Sequence, residues 1–193
     1  MRWLWLLLAL AGCGPAAPTV VPLKHTVAED ITGAQYAQNF NLTDPDGRKR
    51  TLADFHGKVV AVFFGYTHCP DVCPTTLYDF SQAMTLLGKD ANKVQVLFVT
   101  LDPERDTPQK LAQFVPAFNP TFLGLYTDPA HTAQVAKDYR VFYRIQPIDK
   151  YGNYTIDHSA FTYVYDADGH VRLRMPYGEA PADITSDIRQ LIR

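Results

Sequence analysis

The chain has 193 residues with a formal net charge of -2; 47% of the residues are hydrophobic and 20% are charged. This length fits one globular domain with a short extension and excludes two large domains, while the apolar fraction excludes a disordered chain. The 18 basic residues do not outnumber the 20 acidic ones, so we expect no nucleic-acid binding.

Residues 1–12 predict an export signal. They contain one cation followed by an apolar run that is shorter than the roughly 20 residues a membrane-spanning helix needs. The run ends at residues 10–13 in LAGC, which is similar to the lipobox of bacterial lipoproteins, where the signal is cut before the cysteine and the cysteine is acylated. The similarity implies that Cys13 anchors the protein to a bacterial membrane, with the domain in the periplasmic space. An uncleaved signal anchor with an incidental thiol is the alternative.

The remaining cysteines are Cys69 and Cys73, which form a close pair. Export places them in an oxidising space, where thiols are paired or bound to a ligand. Residues 13–37 contain three prolines and lack sustained periodicity, which predicts a lipidated N-terminus and flexible tether. The predicted organisation is therefore a signal peptide over residues 1–12, the tether over 13–37 and one domain over 38–193.

The elements of this domain alternate between strand and helix patterns. A hairpin around the DPDG turn at residues 44–47 opens the domain, and a continuous apolar run over residues 59–64 predicts a strand covered on both faces. The elements predicted after it are a helix over 74–87, a strand over 94–99, a helix over 108–118 with a bend or an end near Pro116 as the alternative, a strand over 122–126, a helix over 129–139, a hairpin over 160–175 and a closing helix that contains Ile184, Ile188 and Ile192. This order predicts an α/β sandwich with a mixed central sheet and flanking helices.

Cys69 and Cys73 lie in residues 65–74 (GYTHCPDVCP), between the first buried strand and a helix. Ligands collect beyond the carboxyl ends of strands in open α/β sheets, so the pair is placed for chemistry. Each cysteine precedes a proline, which disfavours helical dihedral angles, so we expect both on a loop with Cys73 as the helix N-cap. There, unpaired backbone N–H groups and the helix dipole would favour the Cys73 thiolate.

Three functions are compatible with this pair: a structural disulfide, a thiol–disulfide exchange site and a soft-metal site. A disulfide that closes so small a ring constrains the unfolded chain little. Two thiolates and one imidazole would favour a soft ion such as Cu(I), whereas structural zinc usually takes four protein ligands. The spacing alone leaves exchange and metal binding open.

His158 is the favoured third ligand among the six histidines. It lies at the junction between a polar loop and an apolar strand, and such a junction can approach the cysteine loop. His68 is adjacent to Cys69, but neighbouring residues rarely direct both side chains at one ion without strain. We expect Asp157 to orient the His158 ring or to tune the charge of the site. A hydrogen-bonded loop histidine is the alternative interpretation of His158.

From about residue 40 to its C-terminus, the chain resembles the Sco/SenC family of copper-handling proteins. The resemblance rests on the order and spacing of motifs, which are DPDG at 44–47, GK at 57–58, GYTHCPDVCP at 65–74, DPERDTP at 102–108, YRV at 139–141 and DH at 157–158. It implies a thioredoxin-like fold in which Cys69, Cys73 and His158 carry copper. The sulfurs suit Cu(I), and the imidazole also admits Cu(II).

The resemblance also implies a biological role. The expected function is that of a copper-binding metallochaperone for assembly of the dinuclear copper centre of cytochrome c oxidase. Its implied partners are the copper-centre subunit of the oxidase, a periplasmic copper donor and the membrane that holds the lipid anchor. The alternative is a thiol–disulfide oxidoreductase that reduces the copper-ligand cysteines of that subunit, and an enzymatic role follows only from this alternative.

Two further segments each allow two interpretations. Residues 102–108 either shape the loop near the cysteines or supply only turn and N-cap chemistry, and we favour the second. Residues 144–154 form either a mobile flap or docking surface, or a solvated hairpin. The solvated hairpin is the simpler interpretation.

Cleavage before Cys13 can be tested by fluorescence, because it would remove Trp3 and Trp5, the only two tryptophans of the chain. We expect protein purified from its native membrane to emit tyrosine fluorescence without a tryptophan band. Tryptophan emission from that preparation would show that the signal had not been removed.

Overall fold

The computed structural model describes residues 22–193, so Cys13, the predicted signal and the first part of the predicted tether lie outside the described residues. The strands are β1 (Glu29–Asp30), β2 (Leu42–Thr43), β3 (Lys49–Arg50), β4 (Val59–Gly65), β5 (Val94–Thr100), β6 (Leu123–Leu125), β7 (Tyr143–Ile145), β8 (Ile156–His158), β9 (Thr162–Tyr165) and β10 (Val171–Met175). The α-helices are α1 (Val72–Leu87), α2 (Pro108–Phe114), α3 (Pro129–Asp138) and α4 (Pro181–Arg189), and short 3-10 helices cover Leu52–Phe55 and Gly88–Lys93.

A six-stranded mixed sheet forms the centre of the fold, in the order β1-β10-β9-β4-β5-β6. Strands β4, β5 and β6 run parallel, whereas β9 pairs antiparallel with β4 and with β10. All seven residues of β4 are buried, as the continuous apolar run predicts for a strand covered on both faces. The predicted α/β sandwich with a mixed central sheet is confirmed.

Alternate residues of β4 pack into two separate cores, because successive side chains of a strand point to opposite faces. Val59, Ala61 and Phe63 belong to a core shared with α1, α2 and α4. Val60, Val62 and Phe64 belong to a second core, which is shared with α3 and with the β2–β3 hairpin region. Both layers therefore fix the position of β4, and the cysteine loop begins where β4 ends.

The helices largely follow their sequence signals. The predicted caps Thr107 and Asp128 accept hydrogen bonds from the backbone N–H groups of Lys110 and His131, and a proline follows each cap. Helix α2 ends at Phe114, so the predicted extension to residue 118 is wrong and the alternative of an end near Pro116 is closer. Helix α4 ends at Arg189, so the predicted extension to Ile192 is also wrong. Within residues 22–193, every helix falls short of the length and hydropathy that crossing a lipid bilayer requires.

The packed region begins before residue 38, which corrects the predicted end of the tether. Strand β1 pairs antiparallel with β10, and Ala28 and Ala37 are buried. The carboxylate of Asp187 accepts hydrogen bonds from the backbone N–H groups of Val27 and Ala28, at 3.3 and 2.8 Å. The sequence gives no sign that β1 joins the sheet, because a strand of two residues is too short to show periodicity.

Candidate metal centre

Cys69, Cys73 and His158 come together beyond the carboxyl end of β4. One ligand atom from each residue, two Sγ and one imidazole nitrogen, lies within 4.8 Å of the other two. Both cysteines are free thiols, and Nε2 of His158 is 3.5 Å from Sγ of Cys73. Two sulfurs and one imidazole nitrogen at these distances form a donor set that suits a soft metal ion.

Gly65, the last residue of β4, makes room for the buried sulfur. A Cβ atom at this position would lie 2.7 Å from Sγ of Cys73 and 2.9 Å from the ring of Phe98, closer than real Cβ contacts. Because glycine has no Cβ, the Cys73 sulfur can pack directly against the end of the strand. Gly65 therefore permits the buried position of the Cys73 sulfur.

The two cysteines occupy different environments, which differs from the sequence prediction. Helix α1 begins at Val72 with Asp71 as its N-cap, so Cys73 lies in the first helical turn and only Cys69 lies on the loop. The prediction of Cys73 as N-cap is wrong because Pro74 is tolerated in the first turn, where a backbone N–H has no partner within the helix. Cys73 is fully buried, and Cys69 is partly exposed.

The electrostatics of the pair place the thiolate on Cys69. A hydrogen bond from the Cys73 side chain, with smaller contributions from His158 and from backbone N–H groups, lowers the pKa of Cys69 to about 3. The same bond to Cys69, together with burial, raises the pKa of Cys73 above its ordinary value. The expectation of a Cys73 thiolate is therefore wrong, because the partner sulfur and burial outweigh the position at the helix end.

His158 is the last residue of β8, which pairs antiparallel with β7 to form a separate two-stranded ribbon. Its Nδ1 is 3.0 Å from the carbonyl oxygen of Ser159. Since a carbonyl oxygen only accepts, Nδ1 donates to it, and Nε2 is the ring nitrogen that faces Cys73. The strand is also fixed at its start, where the N–H of Ile156 donates to Oη of Tyr66 at 3.2 Å.

Asp157 does not take the predicted role beside the ring. Its exposed carboxylate accepts hydrogen bonds from Arg144, at 3.2 Å, and from Gln146. Asp157 and His158 are successive residues of one strand, so their side chains point to opposite faces. The prediction that Asp157 orients the imidazole is therefore wrong, and the carbonyl of Ser159 makes that contact instead.

The neighbouring histidine, His68, lies outside the cluster, as expected from its adjacency to Cys69. The His68 side chain is exposed, and its Nδ1 is 3.1 Å from the Thr67 hydroxyl and 3.8 Å from the Asp106 carboxylate. A second group of ligand-type side chains, Asp166, Asp168 and His170, lies at the β9–β10 turn. Arginines already pair with both of its carboxylates, since Arg172 contacts Asp166 and Arg193 contacts Asp168.

Residues 102–108 do more than supply a turn and an N-cap, which corrects the favoured interpretation. Asp106 is fully buried, and its carboxylate accepts hydrogen bonds from the backbone N–H and the hydroxyl of Thr67, at 2.9 and 2.5 Å. It also accepts a bond from the Thr100 hydroxyl at 2.6 Å. The carboxylate thus ties the cysteine loop to the end of β5. The signal in the sequence was the position of these acidic residues directly after a buried strand, at the edge that carries the cysteines.

Comparison with known proteins gives consistent matches over the described domain. The SCO1/SenC family model matches residues 28–193. The Protein SCO2 homolog, mitochondrial, of Bos taurus is 39% identical over 154 residues, which are 79% of this chain and 58% of the bovine protein. The chain thus spans less than two thirds of the length of this curated relative.

Two solved structures share the fold. Bradyrhizobium japonicum ScoI with copper bound is 41% identical with a TM-score of 0.72, and the match covers 79% of this chain and 97% of that one. The apo Sco1 protein of Thermus thermophilus is 36% identical with a TM-score of 0.77, and the match covers 86% of this chain and 97% of that one. These matches confirm the predicted thioredoxin-like fold.

The asymmetry of the two thiols predicts selective alkylation. In reduced, metal-free protein, iodoacetamide is expected to label Cys69 before Cys73, because Cys69 is partly exposed and ionised while Cys73 is buried and protonated. With a pKa of about 3, Cys69 should react at a nearly constant rate between pH 5 and 8. An ordinary thiol, with a pKa of about 8.5, would react roughly tenfold faster for each pH unit.

Peptide mass spectrometry identifies the labelled residue, and two variants test the cause. Cys73→Ala removes the donor to Cys69 and should shift the rate profile toward that of an ordinary thiol. Cys73→Ser keeps a hydroxyl donor and should shift it less. Faster labelling of Cys73, or an ordinary thiol profile for Cys69 in the unsubstituted protein, would disprove this assignment of the thiolate.

Proposed function

The chain belongs to the SCO1/SenC family, and we propose that it binds copper through Cys69, Cys73 and His158 and assists assembly of the dinuclear copper centre of cytochrome c oxidase. The observation that carries the proposal is the approach of two sulfurs and one imidazole nitrogen to within 4.8 Å of one another. Thiolate sulfur favours Cu(I), and imidazole nitrogen also suits Cu(II). A solved relative, Bradyrhizobium japonicum ScoI, has copper bound.

Copper is cargo in this proposal, so binding and release both matter. The Cys69 sulfur is already a thiolate, whereas Cys73 must lose its proton before it can bind the metal. Binding therefore releases a proton and weakens as the pH falls. Because Cys69 is the exposed sulfur, it is the ligand that thiolates of an acceptor would replace first.

The proposed partners are a periplasmic copper donor and the copper-centre subunit of the oxidase. We also propose that Cys13 carries a lipid that holds the domain at a bacterial membrane. The LAGC sequence at residues 10–13 supports this anchor, and Cys13 itself lies outside the described residues. An anchored carrier would meet membrane-bound acceptors without diffusing away from the bilayer surface.

Thiol–disulfide exchange is the second candidate, and the asymmetry of the thiols favours it specifically. Cys69 is partly exposed with a pKa of about 3, while Cys73 is a buried thiol beside it. The Cys69 thiolate would attack an acceptor disulfide and release one acceptor thiolate. Cys73, on losing its proton, would then attack Cys69, which forms the Cys69–Cys73 disulfide and releases the second acceptor thiolate. The acceptor gains the two electrons that this chain loses.

Copper affinity of the reduced protein tests the main proposal. We expect the unsubstituted protein to bind Cu(I) at a ratio of about one to one, and His158→Ala to lower the affinity at least about tenfold, since even residues that only support metal ligands contribute 10–100-fold. His68→Ala is the matched control, because His68 is exposed and faces Thr67 and Asp106. The Cu(I) affinity of this variant should not change.

Reduction of a small disulfide substrate separates the two candidate functions. Exchange needs only the two thiols, so His158→Ala should retain it, whereas Cys69→Ser and Cys73→Ser should lose both exchange and tight copper binding. If His158→Ala kept full copper affinity and lost exchange, the oxidoreductase would replace the copper carrier as the favoured function.

A further inference from the structure

A partly buried cluster of three residues holds the chain just before His158. We call Asp102, Arg105 and Tyr154 the Arg105 cluster. Nε of Arg105 donates to Asp102 at 2.5 Å, and Nη1 donates to the carbonyl oxygen of Tyr154 at 2.8 Å. The hydroxyl of Tyr154 donates to the other Asp102 oxygen at 2.7 Å, and the guanidinium carbon lies 3.3 Å from the centre of the Tyr154 ring. Every member therefore contacts the other two.

Burial distinguishes this cluster from a surface ion pair. The side chain of Asp102 is 1% exposed and that of Arg105 is 20% exposed. Exposed ion pairs contribute little, whereas removing one partner of a buried pair leaves an uncompensated charge. The guanidinium carbon also lies 5.8 Å from the ring centre of Tyr66, so the cation is held near two aromatic rings. Arg105 is therefore held by hydrogen bonds and by aromatic contacts together.

The cluster acts on the strand that carries His158. Tyr154 precedes β8 by two residues, and the first residue of β8, Ile156, donates to Oη of Tyr66. The ring of Tyr66 in turn lies 6.0 Å from the ring of His158, nearly perpendicular to it. Arg105 therefore holds the chain at Tyr154, just before β8, and Tyr66 holds β8 itself through the hydrogen bond from Ile156.

The same loop also holds the cysteines. Asp106 follows Arg105 directly and binds Thr67 in the cysteine loop, as described above. Arg105 binds the segment that leads to His158. One short loop after β5 is thus connected to both parts of the ligand set, although those parts are far apart in the sequence.

We propose that Arg105 is a positioning residue that, through Asp102 and Tyr154, holds His158 against the two sulfurs and so sets how firmly copper is retained. This inference rests on the proposed copper-binding function. Arg105 does not touch the ligand atoms, so its effect must pass through the imidazole. Loss of the Arg105 cluster should leave a site with two sulfurs and a poorly placed histidine.

A double-mutant cycle tests this dependence. Arg105→Met removes the charge and the N–H donors, and it should lower the Cu(I) affinity of reduced protein about tenfold or more, the size found for residues that support a metal ligand. In a His158→Ala background the same substitution should change the affinity by no more than about twofold, because the group through which it acts is absent. Arg144→Met is the control, since Arg144 is exposed on β7 and binds Asp157, whose side chain points away from the His158 face of β8. The Cu(I) affinity of this variant should not change.

Hydrogen exchange in the metal-free protein gives a readout that does not depend on copper. The Ile156 amide should exchange faster in Arg105→Met, and also in Tyr154→Phe, which removes only the bond to Asp102. Amides of the central strand β4 should exchange at unchanged rates. If Arg105→Met does not fold, Tyr154→Phe takes its place in the affinity cycle, with a smaller loss expected in the same direction.

The outcomes separate the two proposals. An equal loss of affinity in the presence and absence of His158, or unchanged exchange at Ile156, would overturn the role of Arg105. If His158→Ala itself left copper affinity unchanged, the proposed copper site would fail, and faster exchange at Ile156 would still establish that Arg105 positions β8.

Discussion

The approach of two sulfurs and one ring nitrogen to within 4.8 Å of one another is the constraint on which the rest of the account depends. Cys73 and His158 are 85 residues apart in the chain, yet Sγ and Nε2 lie 3.5 Å apart. Local structure alone cannot produce this contact. It requires β4 to end at a residue without Cβ, Gly65, and it requires the β7–β8 ribbon to end beside that strand. The central sheet is therefore a support that brings two distant segments to one point.

The two cysteines are chemically unequal, and this inequality links structure to function. One sulfur is partly exposed and ionised, and the other is buried and protonated. An exposed thiolate can exchange ligands with a partner, while a buried thiol and an imidazole held by the Ser159 carbonyl keep the inner part of the site in place. The same inequality supports either copper transfer or disulfide exchange, so the histidine is the residue that distinguishes the two functions.

The strongly periodic elements could be predicted from the sequence because β4, β5 and α1 bury continuous or striped apolar surfaces. The three ligand-type residues could be predicted for other reasons: Cys69 and Cys73 form a close pair, and His158 lies at a loop–strand junction in a chain that resembles a known family. Strands β1, β7 and β8 are two or three residues long and show no periodicity. The ionised sulfur could not be assigned because it depends on which thiol, Cys69 or Cys73, receives the hydrogen bond in the folded chain. Asp106 and Arg105 belong to a segment that reads locally as a turn, and their partners lie on other loops.

X-ray absorption at the copper edge tests the central claim most directly, because it reports the atoms bound to the metal. Reduced protein loaded with an equimolar amount of Cu(I) should show two sulfur donors and one imidazole nitrogen. The imidazole signal should vanish in His158→Ala and persist in His68→Ala. A spectrum with sulfur donors alone in the unsubstituted protein, or an imidazole signal that survives in His158→Ala, would contradict the account.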